Sequence, residues 1–313
     1  MGPLVIPWPD FMVDGPFFPY LLGKDLFFKA HKDTPRGTDM LGSLVIVFPT
    51  PHQGGELVLR HKDREWTFDA NALVALRSSP SLAYVAFYSD IEHEVLTVTS
   101  GQRVTLTYNL YATPSNLIPK MAALAITPDP NASASFQTTL RSQLDSPEFL
   151  PNGGTLGFGL AHLYPVTFKT ALEDLIPYLK GEDGHVYRVC RELQLKPALQ
   201  MIYDDSENGP EFGVMIDKII EQPDYDYTSY GDTYASHLVW LGGILVNKAN
   251  LSSEKMAEWF DEGVKGRVTW ISPFSEQNRL KDVTMAYGNE LSVGYIYCSP
   301  CLIAHVPPAS DRT

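Results

Sequence analysis

Leu41–Arg60 reads LGSLVIVFPTPHQGGELVLR, and this stretch decides the fold class. Ser43–Phe48 (SLVIVF) is an apolar, β-branched run closed by Pro49 and Pro51, which predicts a buried strand. Gly54-Gly55 opens a second strand, Glu56–Arg60 (ELVLR), and Glu65–Phe68 is expected to pair back on it across His61-Lys62-Asp63-Arg64. Moving outward, the same grammar continues through Leu82–Tyr88, Glu94–Thr99, a Ser100-Gly101 turn and Arg103–Tyr111. Short strands at close intervals, punctuated by Gly and Pro, point to a sandwich or barrel, jelly rolls included.

Beyond Thr113-Pro114 the character changes. Asn116–Ile126 and Gly184–Leu195 carry helix-like patterning, and Ser252 caps a further helix running through Met256–Trp259. Asp204–Tyr227 is polar and acidic and reads as a long surface loop. Two parts are therefore expected. Residues 1–112 form a mainly β domain, and residues 113–313 form a mixed α/β region packed on it, because no long flexible linker separates them.

Composition narrows the function classes. A chain of 313 residues with 44% hydrophobic, 19% charged and 12% aromatic residues can bury a substantial core, with aromatics to line it. The net charge of −13 and the absence of any basic run argue against a general nucleic-acid or anionic-membrane binder, whose phosphate contacts need clustered Lys and Arg. Three cysteines make no disulfide framework, so a reducing compartment is expected, cytoplasmic with a nuclear location left open. The opening segment has no basic stretch ahead of its apolar residues, and Pro3, Pro7 and Pro9 interrupt it, which fits neither a signal peptide nor a spanning helix.

Several residues could carry chemistry. His31-Lys32-Asp33 puts an imidazole and a carboxylate two positions apart, so both project from one face of an extended segment and can reach one metal. A chance His-x-Asp is common, and a second one, His61-Lys62-Asp63, lies where a solvated hairpin turn is expected. The first copy follows Leu26-Phe27-Phe28 and precedes a turn into a strongly apolar strand, which places it at the mouth of the sheet. His93 sits in a polar patch joining two apolar strands. Ten positions on comes Arg103, sharing one strand face with Thr105 and Thr107, which suggests a polar pocket. Taken singly, His93 reads as a hydrogen-bonded histidine and Arg103 as a salt-bridged strand residue, and only the constellation lifts them above that.

His-x-Asp, a distal His and an Arg ten residues later in SGQRVTLTYNL resemble the iron(II) and 2-oxoglutarate oxygenases of the prolyl-4-hydroxylase-like group. Phe28–Thr34 and Gly54–Leu57 add to the likeness, which covers roughly residues 20–112. The resemblance implies a double-stranded β-helix in which His31, Asp33 and His93 hold iron(II) as a facial triad. It further implies 2-oxoglutarate as co-substrate, converted to succinate and carbon dioxide while a substrate is hydroxylated. Arg103 would take the distal carboxylate bidentately, with Thr105 as a second donor. Prolyl-hydroxylase members usually carry Lys where Arg103 stands, so prolyl specificity does not follow.

The substrate is left open between a protein side chain and a small molecule, with nucleic acid disfavoured by the acidity. Two alternatives stand beside the oxygenase: a non-catalytic relative acting as a metal- or ligand-binding regulatory protein, and a cupin-like metalloenzyme without 2-oxoglutarate, which Arg103 disfavours. Cys298-Ser-Pro-Cys301 with His305 has the spacing of half a zinc site, but no second pair follows and the flanks read as a core strand, so structural cysteines are expected. His185, beside Glu182-Asp183, reads as a solvated helix start.

Overall fold

Ten strands run through residues 11–112 of the computed structural model, which describes residues 11–13, 18–33, 37, 39–61, 64–75, 81–112, 130–164, 166, 170–204, 209–220, 234–252, 265–275, 278–287 and 291–312. They are β1 (Phe11–Val13), β2 (Phe18–Gly23), β3 (Phe28–His31), β4 (Met40–Val47), β5 (His52–Gly54), β6 (Leu57–His61), β7 (Arg64–Phe68), β8 (Ala83–Tyr88), β9 (Glu92–Val95) and β10 (Val98–Ala112), with a short helix α1 (Ala70–Ala75) after β7. In one sheet β10 is flanked by β4 and also takes β1, β2 and β5, and β8 follows β4. The other sheet has the order β3-β9-β6-β7. The chain crosses between sheets from β2 to β3 to β4 and again from β8 to β9 to β10, which is the winding of a jelly roll. The core is the double-stranded β-helix expected from the sequence.

Side-chain parity decides what faces the space between the sheets. Val45 and Val47 of β4 join Leu57, Leu59, Phe87, Val95 and Val98 in one core cluster drawn from both sheets. Leu44 instead packs with Ala86 and Leu110 in a separate cluster, as the two-residue strand period requires. β10 pairs with β4 so that Thr105 lies opposite Val47 and Thr107 opposite Val45. Paired residues share a face, so Arg103, Thr105 and Thr107 look into the barrel. Arg103 is 3% exposed and Thr105 2%, while Val104 and Leu106 between them are half-buried.

The hairpin expected from Glu56 to Phe68 forms, with Leu57 opposite Phe68 and His61 opposite Arg64, although Lys62 and Asp63 lie outside the described residues. Ser100-Gly101 corrects the sequence reading, because it lies within β10 rather than between strands. Gly101 has φ +74°, a Cβ there would stand 2.1 Å from the Pro51 carbonyl oxygen, and the pairing register shifts between Val98 and Ser100. Glycine here accommodates a bulge. Leu96-Thr97 carries the chain from one sheet to the other instead.

The chain divides into two compact units, 1–117 and 118–313. In the second, α2 (Pro130–Asp145), β11 (Gly154–Gly159), α3 (Gly181–Glu192), β12 (Ala198–Asp204), β13 (Phe212–Ile216), α4 (Tyr234–Trp240), β14 (Ile244–Asn247), β15 (Lys265–Gly266), β16 (Val268–Ser272), β17 (Leu280–Tyr287) and β18 (Leu291–Val306) follow one another. The sheet order is β15-β14-β13-β12-β18-β11-β16, with β17 on β18. The helix expected at Gly184–Leu195 is α3. The expected loop Asp204–Tyr227 contains β13, whose apolar Phe212–Ile216 pairs with both β12 and β14 inside acidic surroundings. The Ser- and Thr-rich composition of α2 hides it from a sequence reading, yet Phe136, Leu140 and Leu144 at four-residue steps are the signal for it, and all three pack on the unit's core. The helices expected at 116–126 and from 253 onward lie outside the described residues. Among the described residues no helix is long and apolar enough to cross a membrane.

Candidate metal centre

His31 ends β3, an antiparallel neighbour of β9, and the register sets it directly opposite His93. Asp33 follows two residues later. The three residues each offer one ligand atom, and these atoms lie within 4.8 Å of one another, with Asp33 Oδ1 3.8 Å from His93 Nε2. The two imidazole centroids are 4.3 Å apart, and Phe87 of β8 packs on the His93 ring at 4.6 Å.

Hydrogen bonding fixes what each ligand presents. His31 Nδ1 meets the Lys29 carbonyl at 2.8 Å, and His93 Nδ1 meets the Ile91 carbonyl at 3.0 Å. A carbonyl only accepts, so both Nδ1 atoms carry a proton, and the neutral form of each ring then presents its lone pair at Nε2. Asp33 Oδ2 accepts from the Ser43 hydroxyl at 2.5 Å, which leaves Oδ1 toward the imidazoles. Three acceptors thus converge. Lone pairs facing one another are repulsive unless a cation sits between them, so the donor set fits a metal ion. Burial lowers the pKa of His93, an effect that its bond to Ile91 and the nearby Asp33 oppose in part. The outcome favours the neutral imidazole, which is the ligating form.

Arg103 lies on the interior face of β10. Its Nε is buried with no hydrogen-bond partner among the described residues, and burial lowers its pKa to about 10. Gly55 makes room for it, since a Cβ at that position would stand 2.9 Å from Arg103 Cδ, and with φ +76° the position suits glycine in any case. An orphaned guanidinium nitrogen in a barrel fits a carboxylate brought in from outside. Thr105 is buried on the same face. Two imidazoles and one carboxylate are a donor set that suits ferrous iron.

Elsewhere the structure sorts the remaining candidates. Cys298 belongs to the unit's main core, whereas Cys301, three residues on in the same strand, belongs to the cluster on the opposite face, so the two thiols cannot meet at one metal. Burial pushes Cys190 up to about 12 and raises Cys301 as well, so these thiols stay protonated. His185 is corrected: it is 8% exposed, receives Arg188 Nη2 at 2.9 Å on Nδ1 and packs edge-on to Phe136. Ser43 is absent from the residues that the sequence singles out, although a lone hydroxyl in the apolar run MLGSLVIV is a signal.

Residues 17–111 match the model of the 2OG-Fe(II) oxygenase superfamily. A solved oxidoreductase of the 2OG-Fe(II) oxygenase family from Burkholderia pseudomallei is 24% identical, over 30% of this chain and 43% of that one, with a TM-score of 0.25. A Pseudomonas putida prolyl-4-hydroxylase is 22% identical, over 31% of this chain and 52% of that one, with a TM-score of 0.23. The chain therefore spans about half of either structure or less. No curated protein matches it. The likeness read from the His-x-Asp, His and Arg pattern stands over the matched segment.

Proposed function

We propose that residues 17–111 form an iron(II)- and 2-oxoglutarate-dependent dioxygenase centre that hydroxylates a protein side chain or a small molecule. The observation that carries this reading is the convergence of three ligand atoms whose other polar atoms are already engaged. His31 and His93 would hold the metal through Nε2 and Asp33 through Oδ1. Arg103 would receive the distal carboxylate of 2-oxoglutarate and so fix its orientation, with Thr105 as a second donor on the same face. When bound, the metal and co-substrate would supply the oxidising chemistry, releasing succinate and carbon dioxide. The chain's own task is to orient and shield them: apolar Val45, Val47 and Phe87 wall the barrel interior and limit water. A cytoplasmic setting and the packing of residues 113–313 against this domain belong to the same proposal. Limited proteolysis near Thr113 should then release no pair of stable fragments.

The test is succinate formation from 2-oxoglutarate by the purified full chain with ferrous iron and oxygen, since uncoupled turnover proceeds without the hydroxylated substrate. Succinate above the level of the Asp33→Ala protein is expected. Equal formation in both proteins would overturn the assignment.

A further inference from the structure

We propose that Ser43 is a positioning residue of this centre, whose hydroxyl decides which oxygen of Asp33 faces the metal. The inference rests on the metal-site reading above. β4 is apolar along most of its length, and Ser43 is 2% exposed within it. A hydroxyl so deeply buried costs stability unless bonded, and a Val or Ile at this position would suit a strand better. Its place in the barrel explains why it is there. Ser43 shares the inward parity of Val45 and Val47, and β4 sets it opposite Phe87, the residue that packs on His93. The preceding residue holds this placement: a Cβ at Gly42 would stand 1.9 Å from the Phe87 carbonyl oxygen, so the two backbones approach closely at this level.

From that position the hydroxyl donates to Asp33 Oδ2, since an ionised carboxylate can only accept. Oδ2 is then committed, and the oxygen left on the imidazole side is Oδ1, 3.8 Å from His93 Nε2. A carboxylate held this way offers one oxygen. Were it free to turn, it could offer both, and a chelating carboxylate would leave less room on the metal for an incoming ligand. Ser43 would thus hold the carboxylate so that a single oxygen, Oδ1, faces the metal.

The experiment uses the full chain stripped of metal and titrated with Co(II), read by affinity and by the visible ligand-field spectrum. Ser43→Val keeps the shape of a β-branched residue without the hydroxyl, and Ser43→Thr restores the hydroxyl on the same shape. The unfolding midpoint of each metal-free protein controls for packing. We expect Ser43→Val to weaken Co(II) binding by roughly 10- to 100-fold and to alter the spectrum, as losses of a ligand's outer hydrogen bond do. Ser43→Thr should return both to near the wild-type values while its metal-free midpoint matches that of Ser43→Val. If Asp33→Ala loses Co(II) but Ser43→Val binds it with wild-type affinity and spectrum, the inference falls and the metal centre stands. If Asp33→Ala itself binds as wild type, both fall together.

Discussion

Each unit gathers a cluster of polar side chains, buried in the second unit and open to solvent at His31 in the first, and the two clusters are built to opposite ends. In the second unit Asp183 accepts from the backbone nitrogens of Ala161 and His162 at 2.8 and 3.0 Å and from the Tyr164 hydroxyl at 2.8 Å. Asn278 Nδ2 donates to the Leu160 and His162 carbonyls, and Lys180 Nζ donates to the Leu163 carbonyl at 3.1 Å. Donors there meet acceptors. The result is a closed staple that ties residues 160–164 to the start of α3. In the first unit acceptors meet acceptors at His31, Asp33 and His93, while the Nε of Arg103 meets nothing among the described residues. A fully paired cluster contributes to folding by itself, whereas an unpaired one is stabilised only when a ligand completes it. The difference marks the first cluster as a candidate binding site and the Asp183 bonds as a paired network.

The sharpest way to break this contrast is to remove one acceptor from the open cluster. Asp33→Ala should abolish stoichiometric iron binding, an affinity loss of roughly a hundredfold at least, because the loss of a direct ligand exceeds the loss of an outer one. Asp63→Ala, in the other His-x-Asp copy, should leave the iron content unchanged. Metal analysis after gel filtration reads both, and retained metal in Asp33→Ala would mean that the three residues converge for another reason.

Next in size is the co-substrate. Arg103→Ala should lower 2-oxoglutarate affinity by about 3 to 5 kcal/mol, a hundredfold to a few thousandfold, since it leaves a carboxylate unpaired in a desolvated barrel. Iron affinity should barely move. Arg103→Lys should fall between, because the charge survives and the planar fork does not. Anaerobic titration of the iron-loaded protein, followed by its charge-transfer absorbance, distinguishes these cases. Equal affinity in wild type and Arg103→Ala would make Arg103 a structural residue.

The closed cluster should answer differently. Asp183→Ala strands two backbone N–H groups and a hydroxyl, and at 1 to 3 kcal/mol for each buried orphan the cost should be about 3 kcal/mol or more. Urea unfolding measures it. Iron binding by the folded variant should stay at the wild-type level, and a loss of iron without a loss of stability would contradict the division of labour.

How far the sequence shows this depends on whether the signal is local. The strands β4 and β6 to β10 are legible because alternation, β-branched runs and Gly/Pro punctuation are local features. His31 and Asp33 are legible for the same reason, and Arg103 through its threonine face. Ser43 is not, because a hydroxyl in an apolar strand gains meaning only when Asp33, ten residues earlier, is folded against it. The bulge at Gly101 reads as a turn because Ser-Gly chemistry is common to both, and only the close approach of Pro51 distinguishes them. β13 is lost beneath the acidic residues around it. The staple at Asp183 joins segments far apart in the chain, and no spacing rule reaches that distance.

The smallest expected effect follows from the same orphaned guanidinium and runs in the unusual direction. Burial lowers the Arg103 pKa to about 10, and no opposing charge among the described residues offsets it. A base whose folded pKa is depressed binds its proton more weakly folded than unfolded, so stability rises with pH only in the alkaline window that opens at about 10 and ends at the ordinary arginine value. Below that window the penalty is present in full. At neutral pH it corresponds to about 3 kcal/mol, an upper figure, because relaxation of the surroundings relieves part of it. Arg103→Met keeps most of the unbranched stem and drops the charge, so the ligand-free protein should be stabilised by about 1 to 2 kcal/mol. Saturating 2-oxoglutarate on the iron-loaded protein should reverse the order: at a hundred times its Kd the wild type gains about 2.7 kcal/mol and the variant gains almost nothing. Thermal unfolding under nitrogen, with and without 2-oxoglutarate, reads both halves. A ligand-free Arg103→Met protein no more stable than wild type would mean that the guanidinium already has a counter-charge, and the contrast between the two clusters would lose its clearest term.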